Sequence, residues 1–360
     1  MPVHEHEPKT PTKKGQMSNQ RNDGWSRREF LSAAALVGTG ALLGLGSESV
    51  AADPPPETTR LRLIQAPTIC QAAQFMAEEL LRREGFTNIQ YIKKPGAKWI
   101  ETALASGETD INMHFNARLI MRVEAGDPIV ILAGGHLGCF ELFGTDRVRA
   151  IRDLKGKTVA VLELEAPQHA FIAGMAAHVG LDPRKDINWI TQPPAESMRQ
   201  LAEGKIDAFL GFPPQPQQLR AMKIRSIHVV VNSMVDKPWS QYFCCMVAGN
   251  REFVRKHPVA TKRALRAILN ASDLVDREPA RTARFLVDRG FTENYDHALQ
   301  ALTEMKMAFT AWREYDPEDT LRFYALRLHE AGMITSSPQK VIAQGTDWRF
   351  LRELKKELKG

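Results

Sequence analysis

The sequence predicts a two-part α/β protein with a helical C-terminal third, and three observations carry that prediction. From Arg60 to Leu210, short apolar runs of strand length alternate with segments of helical periodicity. Glycine closes several of the helical segments, at Gly85, Gly107, Gly126, Gly180 and Gly204. From Glu252 onward the chain reads as helix throughout, with Pro258, Pro279 and Pro317 each standing where a helix begins.

Residues 1–52 read as an export leader. Arg27 and Arg28 precede Phe30 and Leu31, a mildly apolar stretch runs from Ala33 to Leu45, and Ala51/Ala52 close it as the cleavage region. The stretch is shorter than the ~20 apolar residues a bilayer-spanning helix needs, and rich in glycine. Export by the twin-arginine translocase and a periplasmic location follow as expectations. Pro54-Pro55-Pro56 makes 53–59 a stiff linker.

In the first α/β series, strands are expected at Arg60–Ile64, Ile89–Ile92, Ile111–Met113 and Ile129–Ala133. Helices are expected at Gln71–Glu84, Ile100–Ala105 and Ala117–Glu124. This alternation predicts a parallel sheet flanked by helices. A second series has strands at Thr158–Leu162, Ile187–Ile190, Ala208–Leu210 and Ile227–Val231. Its helices are Gln168–Val179, Glu196–Ala202 and Gln215–Met222. Phe243–Ala248 is apolar throughout, as a strand buried on both faces is. Asp316, ahead of Pro317, suits an N-cap.

The formal net charge is +6 in 360 residues, with no Lys/Arg block, so nucleic acid is not an expected partner. Cys70, Cys139, Cys244 and Cys245 are not spaced as a zinc motif and read as buried free thiols. No Gly-x-Ser-x-Gly elbow, His-Glu-x-x-His pair or Gly-Lys-Ser phosphate loop is present, so no enzyme class is indicated.

The segment from Ile151 to Val161, IRDLKGKTVAV, resembles the "DLKGKxVAV" signature of type II periplasmic binding proteins of the nitrate/sulfonate/taurine group. Gly107-Glu108-Thr109-Asp110-Ile111, Gly204-Lys205-Ile206-Asp207-Ala208 and Arg251 to Pro258 resemble three further steps of that family, in its order. In each Gly-x-x-Asp step, glycine supplies the left-handed helix cap and aspartate is expected to accept N–H bonds in the turn. The resemblance implies two α/β lobes closing by a hinge over a ligand. Lobe 1 would comprise 60–147 and 236–336, lobe 2 148–235, and 337–360 a helical extension. The chain would then be the monomeric solute-binding subunit of an ABC importer, handing a small molecule to permease and ATPase subunits. No cofactor or metal is implied.

Open parallel sheets hold ligands at the carboxyl ends of their strands. That rule selects the loops 66–70, 114–116, 134–138, 163–169 and 212–215, with the segment 239–242. The candidate binding residues are Thr68, Ile69, His114, Phe115, Asn116, His136, Glu165, Gln168, His169, Phe212, Pro213 and Tyr242. Trp99 is a weaker candidate. Phe212-Pro213-Pro214 resembles the aromatic-x-Pro step on which the family lays its ligand. Relatives that bind anions have a Gly/Ser-rich loop after the KGKxVAV strand, whereas this chain has Glu163 and Glu165. Like charges about 5 Å apart repel by about 1 kcal/mol in water and more where water is excluded, so a simple dianion is not the expected ligand. His114, His136 and His169 with Glu165 have the chemistry of a zinc site, but they sit on separate loops and read as polar ligand contacts.

The rival reading comes from the thiamine pyrimidine synthases of the same superfamily, whose helical region after a Cys-rich strand resembles Cys244-Cys245 through Ala271. Their lysine and histidine, four residues apart, fall at His114 and Arg118, and histidine cannot form a Schiff base. A non-transport sensory binding protein is a third reading.

Overall fold

Strands β1 (Arg60–Ile64) and β2 (Asn88–Ile92) pair in parallel, from Arg60 opposite Asn88 to Ile64 opposite Ile92. The computed structural model describes residues 53–94, 100 and 102–358. Arg27, Arg28, the Ala51/Ala52 cleavage region and Trp99 lie outside the described residues, as does most of the Ile100–Ala105 turn's entry. Between β1 and β2 run two short helices, α1 (Ala72–Met76) and α2 (Glu78–Arg83), where one continuous helix was expected. The break is slight: ψ is −10° at Ala77, yet Leu81 N–H still bonds the Ala77 carbonyl at 2.7 Å.

The rest of this first half departs from an all-parallel sheet. Strand β3 (Ile111–Phe115) leads into α3 (Asn116–Glu124) and β4 (Ile129–Leu137). Strand β10 (Phe243–Asn250) returns from far down the chain and inserts antiparallel between β3 and β4. All eight of its residues are buried, as its unbroken apolar pattern requires.

No backbone ladder joins β1 to β3 beyond the Asp110 N–H to Arg62 carbonyl bond, and side chains complete the seam. Asp110 accepts the Arg62 N–H at 2.7 Å, and Asn112 accepts the Ile64 N–H at 2.8 Å. Gln74, from α1, donates to the Ile64 carbonyl at 3.0 Å and accepts the Met113 N–H at 2.7 Å. The Arg62 and Ile64 backbone groups and the Met113 N–H thereby find partners.

The second half is a five-stranded sheet of order β7-β6-β8-β5-β9, made of β5 (Glu141–Thr145), β6 (Thr158–Val161), β7 (Asn188–Thr191), β8 (Ala208–Gly211) and β9 (Ile227–Asn232). Strands β7, β6 and β8 run parallel, and β5 is antiparallel to β8 and β9. The sequence placed residues up to 147 in the first half; β5 instead belongs to this sheet, so the chain crosses over at 138–140. Helices α4 (Pro167–His178), α5 (Pro194–Ala202) and α6 (Gln215–Ala221) connect the parallel strands.

The two Gly-x-x-Asp steps do the same work in both halves. Gly107 and Gly204 adopt φ of +72° and +68°, the left-handed cap a side chain resists. Asp207 N–H bonds the Thr158 carbonyl at 2.9 Å, and its carboxylate accepts the Thr158 N–H at 2.8 Å. Asp110 treats Arg62 in the same way. The aspartates therefore clamp the neighbouring strand, and do not bond within their own turn as expected.

After β10 come α7 (Arg251–Lys256), α8 (Pro258–Arg277), α9 (Pro279–Asp288), α10 (Tyr295–Glu304), α11 (Pro317–Glu330), α12 (Pro338–Gly345) and α13 (Arg349–Glu357). Pro258, Pro279 and Pro317 are first residues of α8, α9 and α11, and Asp316 accepts the Glu318 N–H as N-cap at 2.9 Å. Helix α8 packs on α1 and α2, while α11 packs on both α3 and α4. The C-terminal helices thus brace both halves and do not serve the first alone.

Candidate functional site

A cavity of about 310 Å³ opens between the two halves, where their strands end. The turn after β1 contributes Ala66, Pro67, Thr68, Cys70 and Gln71, the end of β3 His114 and Phe115, and the crossover Cys139 and Phe140. From the second half come Leu162, Pro167 and Gln168 after β6, Pro194 after β7, and Phe212 and Gln215 after β8. Cys244 and Cys245 of β10 also line the wall, and so does Ile100. The carboxyl ends of β1, β3, β6, β7 and β8 all face this space, as the rule for open α/β sheets requires.

The wall is chiefly apolar and aromatic. Phe140 meets Phe115 edge-on at 5.0 Å between ring centroids and Phe212 at 6.0 Å. Among the described residues the polar groups are few: the Thr68 hydroxyl, the amides of Gln71, Gln168 and Gln215, and the His114 imidazole. Gln71 spends its NH2 on the Met113 carbonyl at 2.7 Å, while its buried Oε1 has no protein partner. Such a surface recognises an organic body by shape and fixes its orientation through two or three hydrogen bonds.

Five of the candidate residues line the cavity: Thr68, His114, Phe115, Gln168 and Phe212. The other seven do not. Ile69 is core, and Asn116 is fully buried with its NH2 donated to the Phe243 carbonyl. His136 is also fully buried, because β4 runs on through Gly134 and Gly135 where a loop was expected. Pro213 is joined to Pro214 by a cis peptide and stays off the wall. Tyr242 stacks on Phe323 at 4.1 Å.

Glu163 and Glu165 are solvent-exposed, and Glu165 lies 4.0 Å from Arg118. Neither carboxylate is among the residues that line the cavity. His169 turns its Nδ1 to the Glu165 N–H at 2.9 Å, and its ring meets the edge of Trp189 at 4.5 Å. Burial, and then the charge of Arg118, lower its pKa from 6.5 to about 4. The unfolded chain thus binds a proton that the folded chain refuses between those values. His169 stabilises the fold fully above pH 6.5 and loses that contribution as pH falls towards 4. Between pH 7.5 and 5 wild type is expected to lose about 2 kcal/mol more stability than His169→Gln, read from urea unfolding at both pH values.

Sequence reasoning missed the four cysteines as part of this site. Their sulfurs converge although they come from three separate stretches of chain. Cys70 Sγ lies 3.4 Å from Cys139 Sγ, which lies 2.9 Å from Cys244 Sγ. All four thiols are free. A hydrogen bond from Cys244, with His136 beside it, holds the Cys245 thiol well below the usual range despite burial. Burial works against a charged His136, but the facing Cys245 outweighs it and raises the imidazole above its ordinary value. The signal that would have found this cluster is the buried pairing of β10 with β4, which sets Cys245 opposite His136.

Residues 54–286 match the model of the NMT1-like family. The bicarbonate-binding protein CmpA of Synechococcus elongatus is 29% identical over 141 residues, which is 39% of this chain and 30% of CmpA. The match therefore spans about a third of the length of that curated relative. Among solved structures, the periplasmic nitrate-binding protein NrtA from Synechocystis PCC 6803 superposes with a TM-score of 0.70 at 16% identity, covering 85% of this chain and 90% of NrtA. The alkanesulfonate-binding protein SsuA from Xanthomonas axonopodis pv. citri, bound to MOPS, gives 0.58 at 18% identity, covering 79% of this chain and 99% of that one. With the matched segment running from the first strand through α8 and most of α9, the chain belongs to the NMT1-like family and has the periplasmic binding protein fold.

Proposed function

We propose that the chain is the solute-binding subunit of an ABC importer and that its ligand is a small organic molecule with an apolar or aromatic body. The single observation that carries this reading is the cavity between the two sheets, walled by Phe115, Phe140, Leu162 and Phe212 with Gln168 and His114 as polar anchors. The curated relative binds bicarbonate and the structural relatives bind nitrate or sulfonate, so the role is that of the family while the ligand class differs. Residues 60–138 with 236–336 and residues 141–235 are the two moving bodies. Their hinge closes over the solute, and the protein works as a periplasmic monomer exported through the twin-arginine route before docking on permease and ATPase subunits. The synthase reading finds no support in the wall, which holds no lysine among the described residues to form a Schiff base.

A thermal-shift and calorimetric panel tests this: nitrate, bicarbonate, short alkanesulfonates, aromatic acids, amines and pyrimidines against the purified protein. An aromatic or heterocyclic compound at 100 times its Kd is expected to add about 2.7 kcal/mol of stability. Phe212→Ala should weaken that ligand about tenfold or more, since the ring's contact area is lost. Binding confined to nitrate, bicarbonate or simple sulfonates overturns the ligand class, and turnover of a bound compound overturns the binding role.

A further inference from the structure

We propose that Cys70, Cys139, Cys244, Cys245 and His136 form a binding site for one thiophilic divalent ion of the zinc type, set into the inner wall of the cavity. This goes beyond the solute-binding reading and does not depend on which solute is bound.

The donor set is the first reason. One ligand atom each from Cys70, His136 and Cys139 lies within 4.8 Å of the others, and so does one each from His136, Cys244 and Cys245. His136 belongs to both groups, and the Cys139–Cys244 contact at 2.9 Å joins them, so four ligands can be drawn from this one cluster. A d10 ion bound by sulfur and imidazole takes four ligands in a tetrahedron. Zn–S bonds of about 2.3 Å place two thiolates roughly 3.8 Å apart. The close pairs here, at 3.4 and 2.9 Å, need part by less than about 1 Å to admit the ion.

The second reason is independent and concerns His136. The ring is fully buried, and Nδ1 bonds the Leu137 carbonyl at 2.9 Å. A donor hydrogen there leaves Nε2 as the atom with a lone pair. That Nε2 is buried with no hydrogen-bond partner of good geometry, and the thiols of Cys70 and Cys245 stand beside it. Unsatisfied buried nitrogen is costly, whereas an imidazole held at one nitrogen by a backbone carbonyl, with the other free, is the arrangement metal-binding histidines adopt. Access is provided as well, since all four cysteines line the open cavity.

Two thiolates and a neutral imidazole balance a dication, with the fourth tetrahedral position left to a neutral donor from the open cavity. The ligands come from the turn after β1, the end of β4, the crossover at 139 and the start of β10. An ion there ties the crossover at 139 and the start of β10 to the turn after β1.

The protein, purified anaerobically with thiols reduced and freed of metal, is titrated with Zn2+ alone in competition with a chromogenic chelator, and metal is counted by mass spectrometry. One ion per chain is expected, together with thiolate-to-metal absorption on Co2+ substitution. Cys244→Ala and His136→Gln should each weaken Zn2+ at least 100-fold, with folding checked by circular dichroism. Because a core variant that fails to fold reports nothing, the Co2+ spectrum of the wild-type chain stands as a second reading. Substoichiometric Zn2+, a Co2+ spectrum without sulfur ligation, or unchanged affinity in a folded Cys244→Ala chain overturns the proposal. A Cys139–Cys244 disulfide in protein taken directly from cells overturns it equally, because it consumes two of the ligands. Solute binding measured on the same samples separates failure of this site from failure of the import reading.

Discussion

Replacing Gln74 by leucine is expected to cost about 3–5 kcal/mol of folding stability, although the new side chain has nearly the right size and suits a buried helix position. Gln74 is fully buried. Its amide is the only described link between the Ile64 carbonyl and the Met113 N–H, at 3.0 and 2.7 Å. Leucine would leave both backbone groups in the core without partners, and each such group costs about 1–3 kcal/mol. A urea titration should show a lower midpoint with an unchanged slope, since the surface exposed on unfolding is the same. Gln74→Glu gives the complementary result. A carboxylate still accepts from Met113 N–H but repels the Ile64 carbonyl and buries an unpaired charge, so recovery should appear only at acid pH, where the protonated carboxyl both accepts and donates. A leucine variant as stable as wild type would show that water fills the seam and that Gln74 does not hold β1 to β3.

This seam marks where the sequence stops being readable. The alternation of short apolar runs and periodic segments correctly implies two α/β halves, and the prolines at 258, 279 and 317 mark helix starts because proline lacks the N–H a first turn cannot use. Those signals are local. The side-chain bridge from Gln74 to two strands is not, and Gln74 in a helix carries no mark of it. Strand β5 was missed for the same reason. Glu141-Leu-Phe-Gly-Thr lacks alternation, holds a glutamate and a glycine, and yet is buried throughout. Only its non-local neighbours β8 and β9 make it a strand.

The cavity was half readable. The strand-end rule is topological, and five of the residues it selected, Thr68, His114, Phe115, Gln168 and Phe212, line the cavity. His136 was misplaced because Gly134-Gly135 looks like a turn. Here glycine instead makes room: a Cβ at Gly134 would come within 2.3 Å of the Phe243 ring. The strand therefore continues, and His136 points into the thiol cluster and not into solvent. That cluster is invisible to motif spacing, since 69 residues separate Cys70 from Cys139 and 105 separate Cys139 from Cys244.

Arg220→Leu should be the second variant of large effect, with a loss of about 3–5 kcal/mol near neutral pH that shrinks on acidification. Arg220 of α6 forks between two carboxylates. It reaches Glu141 of β5, whose side chain is 3% exposed, at 2.5 Å, and Glu304 of α10 at 2.7 and 2.8 Å. Gln217 adds a bond to Glu304 at 2.8 Å, so this cluster fastens the second sheet's helix to the C-terminal helices. Burial raises the Glu141 pKa, and Arg220 opposes that rise. Without the guanidinium, the raised value goes uncorrected, and the folded variant holds a proton that the unfolded chain releases. A carboxyl with a folded pKa above its unfolded value stabilises most below the unfolded pKa and loses that stability as pH climbs through the folded one. The variant should therefore lose stability steeply from acid towards neutral pH, relative to wild type. Glu141→Gln in the same chain removes the charge that needs a partner and should restore most of the loss at neutral pH while flattening the profile. If Arg220→Leu is destabilised equally at pH 5 and 7.5, the lost latch to Glu304 and not the stranded Glu141 carries the effect. Solute affinity then decides what the latch is for, because a contact that joins the two halves should alter closure over the cavity even where the fold survives.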